Sequence, residues 1–402
     1  MTQWPIATCI VIFAAICFAL PLRWALKARK YALRFRPTLP AKDWPPVLVV
    51  LPCRGQANEM AELEDNLRTV LAQDYPAFRV VFAVTDPQDV AMPVLRKLCQ
   101  QFAHARVVVA EAASGRSDKI SNQLRAIQEA QASDEVLAFL DSDARPAPTL
   151  LRKLVGPLRD PQVGTTTGFR WYTPSAGSGF GSWLRSAWNA GGLPFLVEPR
   201  HNYAWGGAMA IRRDVFEKCK VGQYWAKALS DDLGLSLVVK RAGYRITLVP
   251  DCLVRSPEDL SLRQTIEWST RQTVVCRVYN PVMWRDILLG ELATMGCLIA
   301  AMLVAWIGMT KEQWLWAFSG ISAFGGVVVG WMLYQMMIVN IVRRLAPELA
   351  SKQARQRLIL LAPLVHPLIL YNSLRSLFNR RIEWRGVHYH LRGPQDIVVI
   401  EP

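Results

Sequence analysis

Long uncharged stretches at both ends of the chain flank a middle part with shorter apolar runs. No charged residue occurs from Trp4 to Leu22, which is long enough to cross a bilayer as a helix. Basic residues follow at once, beginning with Arg23 and Lys27. A signal peptide carries its positive charge before the apolar run, so the reversed order predicts an uncleaved anchor. The positive-inside rule then places the segment after the anchor in the cytoplasm.

Apolar runs of strand length alternate with helical patterns in the first part of the middle region. The predicted strands are Val47–Leu51, Phe78–Val84, Ala105–Ala110 and Glu135–Leu140. The predicted helices between them are Glu59–Ala72, Met92–His104 and Ser121–Ala130. Strands and helices alternating at this spacing predict an α/β domain with a doubly wound, mostly parallel sheet. Further along, Trp205–Ile211 is predicted to be a strand behind a glycine turn.

Two long apolar stretches near the C-terminus, Ile287–Met309 and Trp314–Val342, predict membrane-spanning helices. A shorter third stretch, Leu358–Tyr371, is predicted to be broken by Pro363, His366 and Pro367 and is either spanning or re-entrant. The arginines that follow it favour a re-entrant or interfacial segment, because a full crossing would leave them outside. The predicted organisation is an anchor (1–24), a basic interfacial linker (25–46), an α/β domain (47–285), membrane segments (286–378) and a basic cytosolic tail (379–402).

Composition and charge agree with a membrane protein. Of the 402 residues 51% are hydrophobic, and the formal net charge is +15. Because the basic residues gather beside apolar segments, they predict faces near anionic headgroups and no nucleic-acid partner. The eight cysteines are scattered without a Cys-x-x-Cys pair, which argues against a disulfide framework or a zinc site.

Two carboxylates follow the last of the four predicted strands directly, in Asp141-Ser142-Asp143. In an extended chain residues i and i+2 point to the same side, so Asp141 and Asp143 can face one pocket. Open α/β sheets bind ligands at the carboxyl ends of their strands. Hard oxygen ligands placed there suit Mg2+ or Mn2+ together with a substrate diphosphate. The alternative interpretation of an isolated Asp-x-Asp is a solvated acidic turn.

Four further charged residues make this pocket a candidate nucleotide-sugar site. Asp86 stands at the end of the second predicted strand, and Lys119 supplies positive charge for phosphates. Asp231 and Asp232 follow Ser230 at the start of a predicted helix. One of these carboxylates can accept the proton of an attacking hydroxyl. Alternatively, Ser230 caps the helix and the two acids complement its dipole.

The order of these motifs resembles the inverting family 2 glycosyltransferases with the GT-A fold. It is most similar to the ceramide glucosyltransferase branch and its bacterial relatives, which include enzymes that glycosylate hopanoid-type lipids. The resemblance implies a Rossmann-like doubly wound sheet between N- and C-terminal transmembrane helices. The implied roles are nucleotide-sugar binding by Pro52, Asp86, Lys119 and Asp141, metal binding by Asp143 and Asp141, and catalysis by Asp232 as general base with Asp231 beside it.

The implied activity is transfer of a glucose-like sugar from a UDP-sugar to the hydroxyl of a membrane lipid such as ceramide or a hopanoid-type lipid. The implied cofactor is a divalent cation, Mg2+ or Mn2+. The partners are then the UDP-sugar donor, the lipid acceptor and the bilayer itself. The implied location is a bacterial inner membrane, with several spans and the catalytic domain facing the cytoplasm.

One motif departs from the family pattern. The family motif is Gln or Arg, followed by any two residues and then by Arg-Trp. This chain has Gln264 and Trp268 at the first and last positions, but Glu267 stands in the position of the motif's arginine. On a helix Gln264, Trp268 and Arg271 share one face, so Arg271 is a candidate for the missing cation at the diphosphate and the acceptor. The alternative is a merely amphipathic interfacial helix from Leu262 to Tyr279. Two other functions stay open, namely a processive polysaccharide synthase of the same fold and a catalytically silent membrane scaffold that binds lipid or nucleotide.

Overall fold

The computed structural model describes residues 3–36, 42–56, 60–111 and 115–400. Part of the predicted linker (37–41), the predicted helix start at Glu59 and the last two residues of the predicted tail lie outside these ranges.

The helices, numbered along the chain, are α1 Gln3–Arg34, α2 Met60–Leu71, α3 Met92–Gln101, α4 Asp118–Ile127, α5 Leu150–Val155, α6 Phe180–Ala190, α7 Arg213–Lys218, α8 Val221–Trp225, α9 Asp231–Arg241, α10 Leu262–Tyr279, α11 Pro281–Thr310, α12 Trp314–Leu345 and α13 Lys352–Phe378. The strands are β1 Val47–Pro52, β2 Phe78–Val84, β3 Ala105–Val109, β4 Val136–Leu140, β5 Val163–Tyr172, β6 Ala208–Arg212, β7 Arg245–Ser256, β8 Arg381–Trp384, β9 Val387–Gly393 and β10 Asp396–Ile400.

Strands β1–β7 form one mixed sheet in the order β3-β2-β1-β4-β6-β5-β7. Strand β1 pairs in parallel with β2 and β4, and β2 pairs in parallel with β3. Only one strand of this sheet, β6, runs antiparallel to both of its neighbours. The prediction of a doubly wound, mostly parallel sheet is therefore confirmed.

Both faces of this sheet are covered, as a doubly wound fold requires. Along β1, Val49 and Leu51 point into a hydrophobic cluster that contains Leu95 of α3. Leu48 points into a second cluster, which contains Ile120 of α4. The alternation of β1 side chains between two cores explains why this strand is apolar at every position.

In the described part of the chain four helices, α1, α11, α12 and α13, are long and apolar enough to cross a membrane by length and composition. Helix α1 continues past the predicted anchor and includes the first basic residues of the predicted linker. Apolar side chains of these helices stay exposed, for example Leu20 at 53% and Phe318 at 65%. Such surface is suited to lipid contact, so the protein is membrane-associated.

Helix α13 differs from the interrupted segment expected at Leu358–Tyr371. It is continuous through Pro363 and Pro367 and has 27 residues. A proline removes one backbone donor, which a helix tolerates where neighbouring helices pack around it. The proline-broken segment was therefore a wrong expectation, because tertiary packing outweighs the helix-breaking tendency of proline.

The predicted basic tail forms a second, three-stranded antiparallel sheet in the order β10-β9-β8. Its apolar side chains Ile382, Tyr389, Leu391 and Ile397 pack into the same hydrophobic cluster as α4 and α9. The C-terminal sheet is thereby fixed to the α/β domain, and it reaches the carboxyl-end edge of the large sheet.

Helices α11 and α12 are in close contact at Gly320. A Cβ atom added there would lie 2.4 Å from the carbonyl oxygen of Ala301 and 2.5 Å from the amide nitrogen of Ala305. We expect Gly320→Ala to destabilise the protein by about 1–3 kcal/mol, since the helices must separate. The thermal midpoint of the detergent-solubilised protein measures this. Gly325→Ala, in the same helix with no atom within 4 Å of the added Cβ, is the matched control. Equal midpoints for the two variants would contradict the close approach.

Candidate active site

Asp141 and Asp143 face one pocket, as predicted, but the local backbone is a turn and not an extended strand. The chain leaves β4 at Leu140, and the amide of Ala144 donates to the carbonyl of Asp141 at 3.2 Å. Arg145 then forms a single bridge with Arg255 of β7. The two carboxylates therefore face the same pocket because of a turn, and the extended conformation predicted for this segment is wrong.

Arg170 of β5 holds the two carboxylates together, and the sequence reasoning missed it. Its Nη2 atom lies 2.8 Å from Oδ2 of Asp141 and 2.9 Å from Oδ1 of Asp143, and its Nη1 donates to Oδ2 of Asp143 at 3.0 Å. Burial opposes the charge on Asp143, but Arg170 outweighs it and the pKa of Asp143 lies well below its usual range. Asp143 is therefore ionised at neutral pH.

Lys119 lies between the Asp141–Asp143 pair and the Asp231–Asp232 pair and contacts one carboxylate of each. It is the second residue of α4, whose N-terminus is capped by Ser117. Its Nζ atom lies 2.9 Å from Oδ1 of Asp141 and 3.0 Å from Oδ2 of Asp231. Burial disfavours the ammonium, but Asp141 and the α9 carboxylates outweigh it and raise the pKa of Lys119 above its ordinary value. A Cβ atom at Gly206 would lie 2.9 Å from this Nζ, so a glycine is needed for the close approach.

Asp231 and Asp232 begin α9, where Ser230 is the N-cap and accepts from the amide of Leu233 at 3.2 Å. The capping interpretation is thus correct, and it does not exclude a chemical role for the acids. Asp231 is buried and accepts from Gln123 at 2.7 Å.

Asp232 is held at both carboxylate oxygens. Its Oδ1 accepts from the Ser230 hydroxyl at 2.5 Å, and its Oδ2 accepts from the amide of Gly206 at 3.3 Å. Burial and the negative charge of Asp231 raise the pKa of Asp232 above its ordinary value, although Lys119 opposes this. A raised pKa makes a carboxylate a stronger proton acceptor.

Glu258, which follows β7, adds a further acid that the sequence reasoning did not identify. Its Oε2 lies 3.0 Å from Nη1 of the buried Arg185, and its Oε1 lies 3.7 Å from Nη1 of Arg170. Burial and the charge of Asp143 raise the pKa of Glu258 to about 7. Neither Arg170 nor Glu258 stands in a recognisable local motif, so only the fold reveals them.

Pro52 and Asp86 lie at the carboxyl ends of neighbouring parallel strands. Pro52 is the last residue of β1 and lines the same cavity as Asp141 and Lys119. Asp86 follows β2, and its Oδ1 accepts from the backbone amide of Gln88 at 2.8 Å on the exposed side of the turn. Among the described residues Asp86 forms no hydrogen bond or ion pair with the cluster of four carboxylates, Asp141, Asp143, Asp231 and Asp232. Its role in nucleotide binding stays a prediction.

Helix α10 forms part of the cavity wall. Gln264, Trp268 and Arg271 all line the cavity, as do Arg263 and Glu267 of the same helix. Gln264 completes a capping box with Ser261 at the start of the helix. The Trp268 ring packs edge-on against Tyr172 and Trp188, at centroid distances of 5.7 Å and 5.1 Å.

Glu267 is more exposed than Trp268, and its Oε1 lies 2.9 Å from Nε of Arg263, one turn earlier in the helix. Arg271 donates to the backbone carbonyl of Glu383 in the C-terminal sheet at 3.2 Å. Glu267, which stands where the family has arginine, is thus paired with another residue of its own helix. The positive charge that the family's arginine would bring to the cavity is carried by Arg271.

One continuous cavity of about 2100 Å3 joins this cluster to the membrane helices. At one end its wall includes Asp141 and Asp232, and at the other it includes Leu20 of α1 and Tyr334 of α12. Glu291 of α11 also lines it and pairs with His366 of α13 at 2.9 Å. The cavity therefore offers both a polar, charged end and an apolar end within the helix bundle.

The two carboxylates of the Asp-x-Asp turn have the chemistry that a divalent cation needs. Mg2+ is commonly held by one or two carboxylates, with substrate phosphates and waters completing its shell. Within the described residues no group of three or more His, Cys, Asp or Glu could hold a metal unaided. Because Arg170 contacts oxygens of both carboxylates, a cation bound by Asp141 and Asp143 would compete with that guanidinium.

The solved structures to which this chain is similar include two glycosyltransferases. The mannosyltransferase PcManGT from Pyrobaculum calidifontis, in complex with GDP-Man and Mn2+, is similar with a TM-score of 0.50 and 17% identity, over 93% of this chain and 99% of that chain. GalNAc-T7 with UDP, GalNAc and Mn2+ is similar with a TM-score of 0.40 and 14% identity, over 54% of this chain and 44% of that chain. The first likeness shows the GT-A fold.

The family model described as glycosyl transferase family 21 matches residues 7–397, which is most of the chain. This family is the ceramide glucosyltransferase family, so the resemblance seen in the motifs is confirmed. With its sheet, its clustered carboxylates and its membrane helices, this chain belongs to glycosyl transferase family 21 and is a glycosyltransferase of the GT-A fold.

Proposed function

We propose that this glycosyltransferase moves a sugar from a UDP-sugar to the hydroxyl of a membrane lipid, such as ceramide or a hopanoid-type lipid. The observation that carries the proposal is the single cavity that connects Asp141 and Asp232 with the membrane helices. A soluble acceptor would not need a cavity with walls from α1, α11 and α12. A lipid can place its chains at the apolar end and its hydroxyl at the charged end.

The proposed chemistry is a direct displacement. Asp232 accepts the proton of the acceptor hydroxyl, and the hydroxyl oxygen forms a bond to the anomeric carbon of the sugar. The bond from that carbon to the diphosphate oxygen breaks on the opposite face, which inverts the configuration. Lys119 and Arg271 offset the negative charge on the departing nucleoside diphosphate.

We propose Asp141 and Asp143 as the residues that hold a divalent cation, Mg2+ or Mn2+. When bound, such a cation supplies positive charge for the leaving diphosphate. The complex of PcManGT with Mn2+ is compatible with this proposal.

Trp268 is proposed to contact the acceptor. Together with Tyr172 and Trp188 it forms an aromatic cluster in the cavity wall, close to α6 and α10. Aromatic rings with a polar edge suit the boundary between a lipid headgroup and its chains. Gln264, one turn before Trp268, is proposed to contribute to the same region.

The proposed arrangement in the membrane has three crossings, α1, α11 and α12, with the α/β domain in the cytoplasm of a bacterial cell. Both ends of α13 contact the α/β domain. Trp171 donates to the carbonyl of Leu349, just before α13, and Arg277 donates to the carbonyl of Leu377 at its end. A helix held at both ends by one domain supports the interfacial alternative predicted for this segment.

Nucleotide release by the purified, detergent-solubilised protein tests the proposal. A panel of UDP-sugars and GDP-sugars is offered with Mg2+ or Mn2+, with and without a membrane lipid extract. We expect release of UDP that requires the lipid and is lost in Asp143→Ala. Release of GDP only would contradict the donor, and equal release without lipid would contradict the acceptor. A long labelled polymer as the product would favour the polysaccharide synthase instead.

A further inference from the structure

The turn between β8 and β9 lies over the candidate active site, although it comes from the last part of the chain. Residues 383–386 line the same cavity as Asp141 and Asp143. The turn is connected to the domain on two sides. The backbone carbonyl of Glu383 accepts from Arg271 at 3.2 Å, and Arg385 donates at 3.4 Å to the backbone carbonyl of Arg54, in the loop after β1.

The position of this turn is fixed by burial of the C-terminal sheet. Leu391 and Tyr389 of β9 are 0% and 3% exposed, and Ile382 of β8 is 6% exposed. All three pack into the hydrophobic cluster of the α/β domain. The turn therefore reaches the cavity as part of a rigid element and not as a loose tail.

Two arginines in this part of the cavity have no carboxylate partner. Within residues 3–36, 42–56, 60–111 and 115–400, neither Arg271 nor Arg385 forms an ion pair, and their described hydrogen bonds go to backbone carbonyls. Burial lowers the pKa of Arg271, and the like charge of Arg385 contributes to this. Arg271 is half-buried and Arg385 is exposed, and the carboxylates that act on them, Asp143 on Arg385 and Glu258 and Glu383 on Arg271, do so from beyond ion-pair distance. Two neighbouring guanidinium groups that line one cavity and have no described carboxylate within 4.0 Å suit an anionic ligand.

The backbone gives no reason for an arginine in this turn. Arg385 and Gly386 both have positive φ, 51° and 80°. Two consecutive residues of this kind between antiparallel strands form a tight two-residue hairpin turn, for which Asn-Gly is the preferred pair. Arginine at the first position costs backbone energy that asparagine would avoid, and its guanidinium lies at the edge of the cavity.

We propose that Arg385 and Arg271 together bind the diphosphate of the donor, so that the C-terminal sheet is part of the donor site. The inference rests on the proposed function, because it needs a nucleoside diphosphate in this cavity. It also explains how the chain compensates for Glu267: a turn about 120 residues further along supplies the second cation.

Binding of UDP and UMP to the purified protein, measured by calorimetry, tests the inference. Arg385→Asn removes the cation and installs the residue that the turn prefers, so the sheet stays folded. We expect the Kd for UDP to rise roughly 10- to 100-fold while that for UMP changes much less, because a hydrogen-bonded charge to the second phosphate is lost. Arg385→Lys should retain part of the affinity.

Arg392→Asn, an exposed arginine of the same sheet, is the matched control and should leave both affinities unchanged. Unchanged UDP binding in Arg385→Asn, with normal UDP binding by the wild type, would overturn this inference alone. No binding of UDP by the wild type would overturn the proposed function as well, so the two failures are distinguishable.

Discussion

Asp232→Asn should reduce the rate of sugar transfer about 10³-fold while leaving the affinity for UDP close to that of the wild type. The asparagine keeps the size of the side chain and can still accept from Ser230, but it cannot take a proton from the acceptor. Initial rates with saturating donor and lipid measure the loss, and calorimetry with UDP measures the binding. Asp214→Asn, on the exposed side of α7, is the control variant.

The pH profile gives a second readout for the same residue. A general base works only when deprotonated, so kcat/KM should rise with pH through the pKa of Asp232. Because burial and Asp231 raise this pKa, the rise should lie above about 4, the ordinary range of an aspartate. Asp231→Asn removes one of the raising charges and should move the rise to lower pH. A flat profile, or an Asp232→Asn enzyme with more than a tenth of the wild-type rate, would contradict the assignment.

Lys119→Met should produce the second large effect, a loss of both stability and donor binding. The ammonium lies 2.9 Å from Asp141 and 3.0 Å from Asp231, and its removal leaves both carboxylates without their shared cation. Breaking a buried ion pair on one side costs about 3–5 kcal/mol of unfolding free energy. The thermal midpoint in detergent should therefore fall clearly, and UDP binding should be weakened.

The matched control is Lys97→Met, which removes an exposed lysine 2.9 Å from Glu64. Exposed pairs contribute about 0–1 kcal/mol, so this variant should melt close to the wild type. Adding Asp231→Asn to Lys119→Met removes one unpaired charge and should restore part of the lost stability. If the Lys119 and Lys97 variants melted at the same temperature, the buried bridge would not have the role assigned to it.

Predictions from the sequence succeeded where a local pattern had one physical meaning. The apolar run before Asp141 has the length of a buried strand, and the flanking alternation of strands and helices supports that prediction. The face shared by Gln264, Trp268 and Arg271 followed from helical geometry alone. The site could therefore be located at a strand end before its contacts were known.

The contacts that complete the site depend on long-range pairing and could not be predicted. Arg170 reaches Asp141 because β5 lies in the same sheet, beyond β6, and nothing in its neighbourhood marks it as an ion-pair partner. Glu258 follows β7, the neighbour of β5 at the edge of the sheet. Strand order in a mixed sheet decides such contacts, and periodicity along the chain carries no information about it.

The sequence of the C-terminal sheet carries a local signal for strands. Val387, Tyr389 and Leu391 alternate with polar residues, and Arg385-Gly386 precedes them as a two-residue turn. The strong positive charge of the segment instead led to the prediction of a basic cytosolic tail. Alternating apolar positions beside a glycine turn were the better guide, because they require a partner surface to cover one face of the strands.

The most direct test of the central claim is formation of a glycolipid by the purified protein. Radiolabelled UDP-sugars are incubated with the wild type and with Asp232→Asn in the presence of membrane lipid extract, and the label in the organic phase is measured. With the wild type the account predicts label in a lipid that resists mild alkali, as a ceramide does, or in a hopanoid-type lipid. With the variant it predicts almost no label in the organic phase. Label that stays entirely in the aqueous phase, despite release of UDP, would contradict a lipid acceptor.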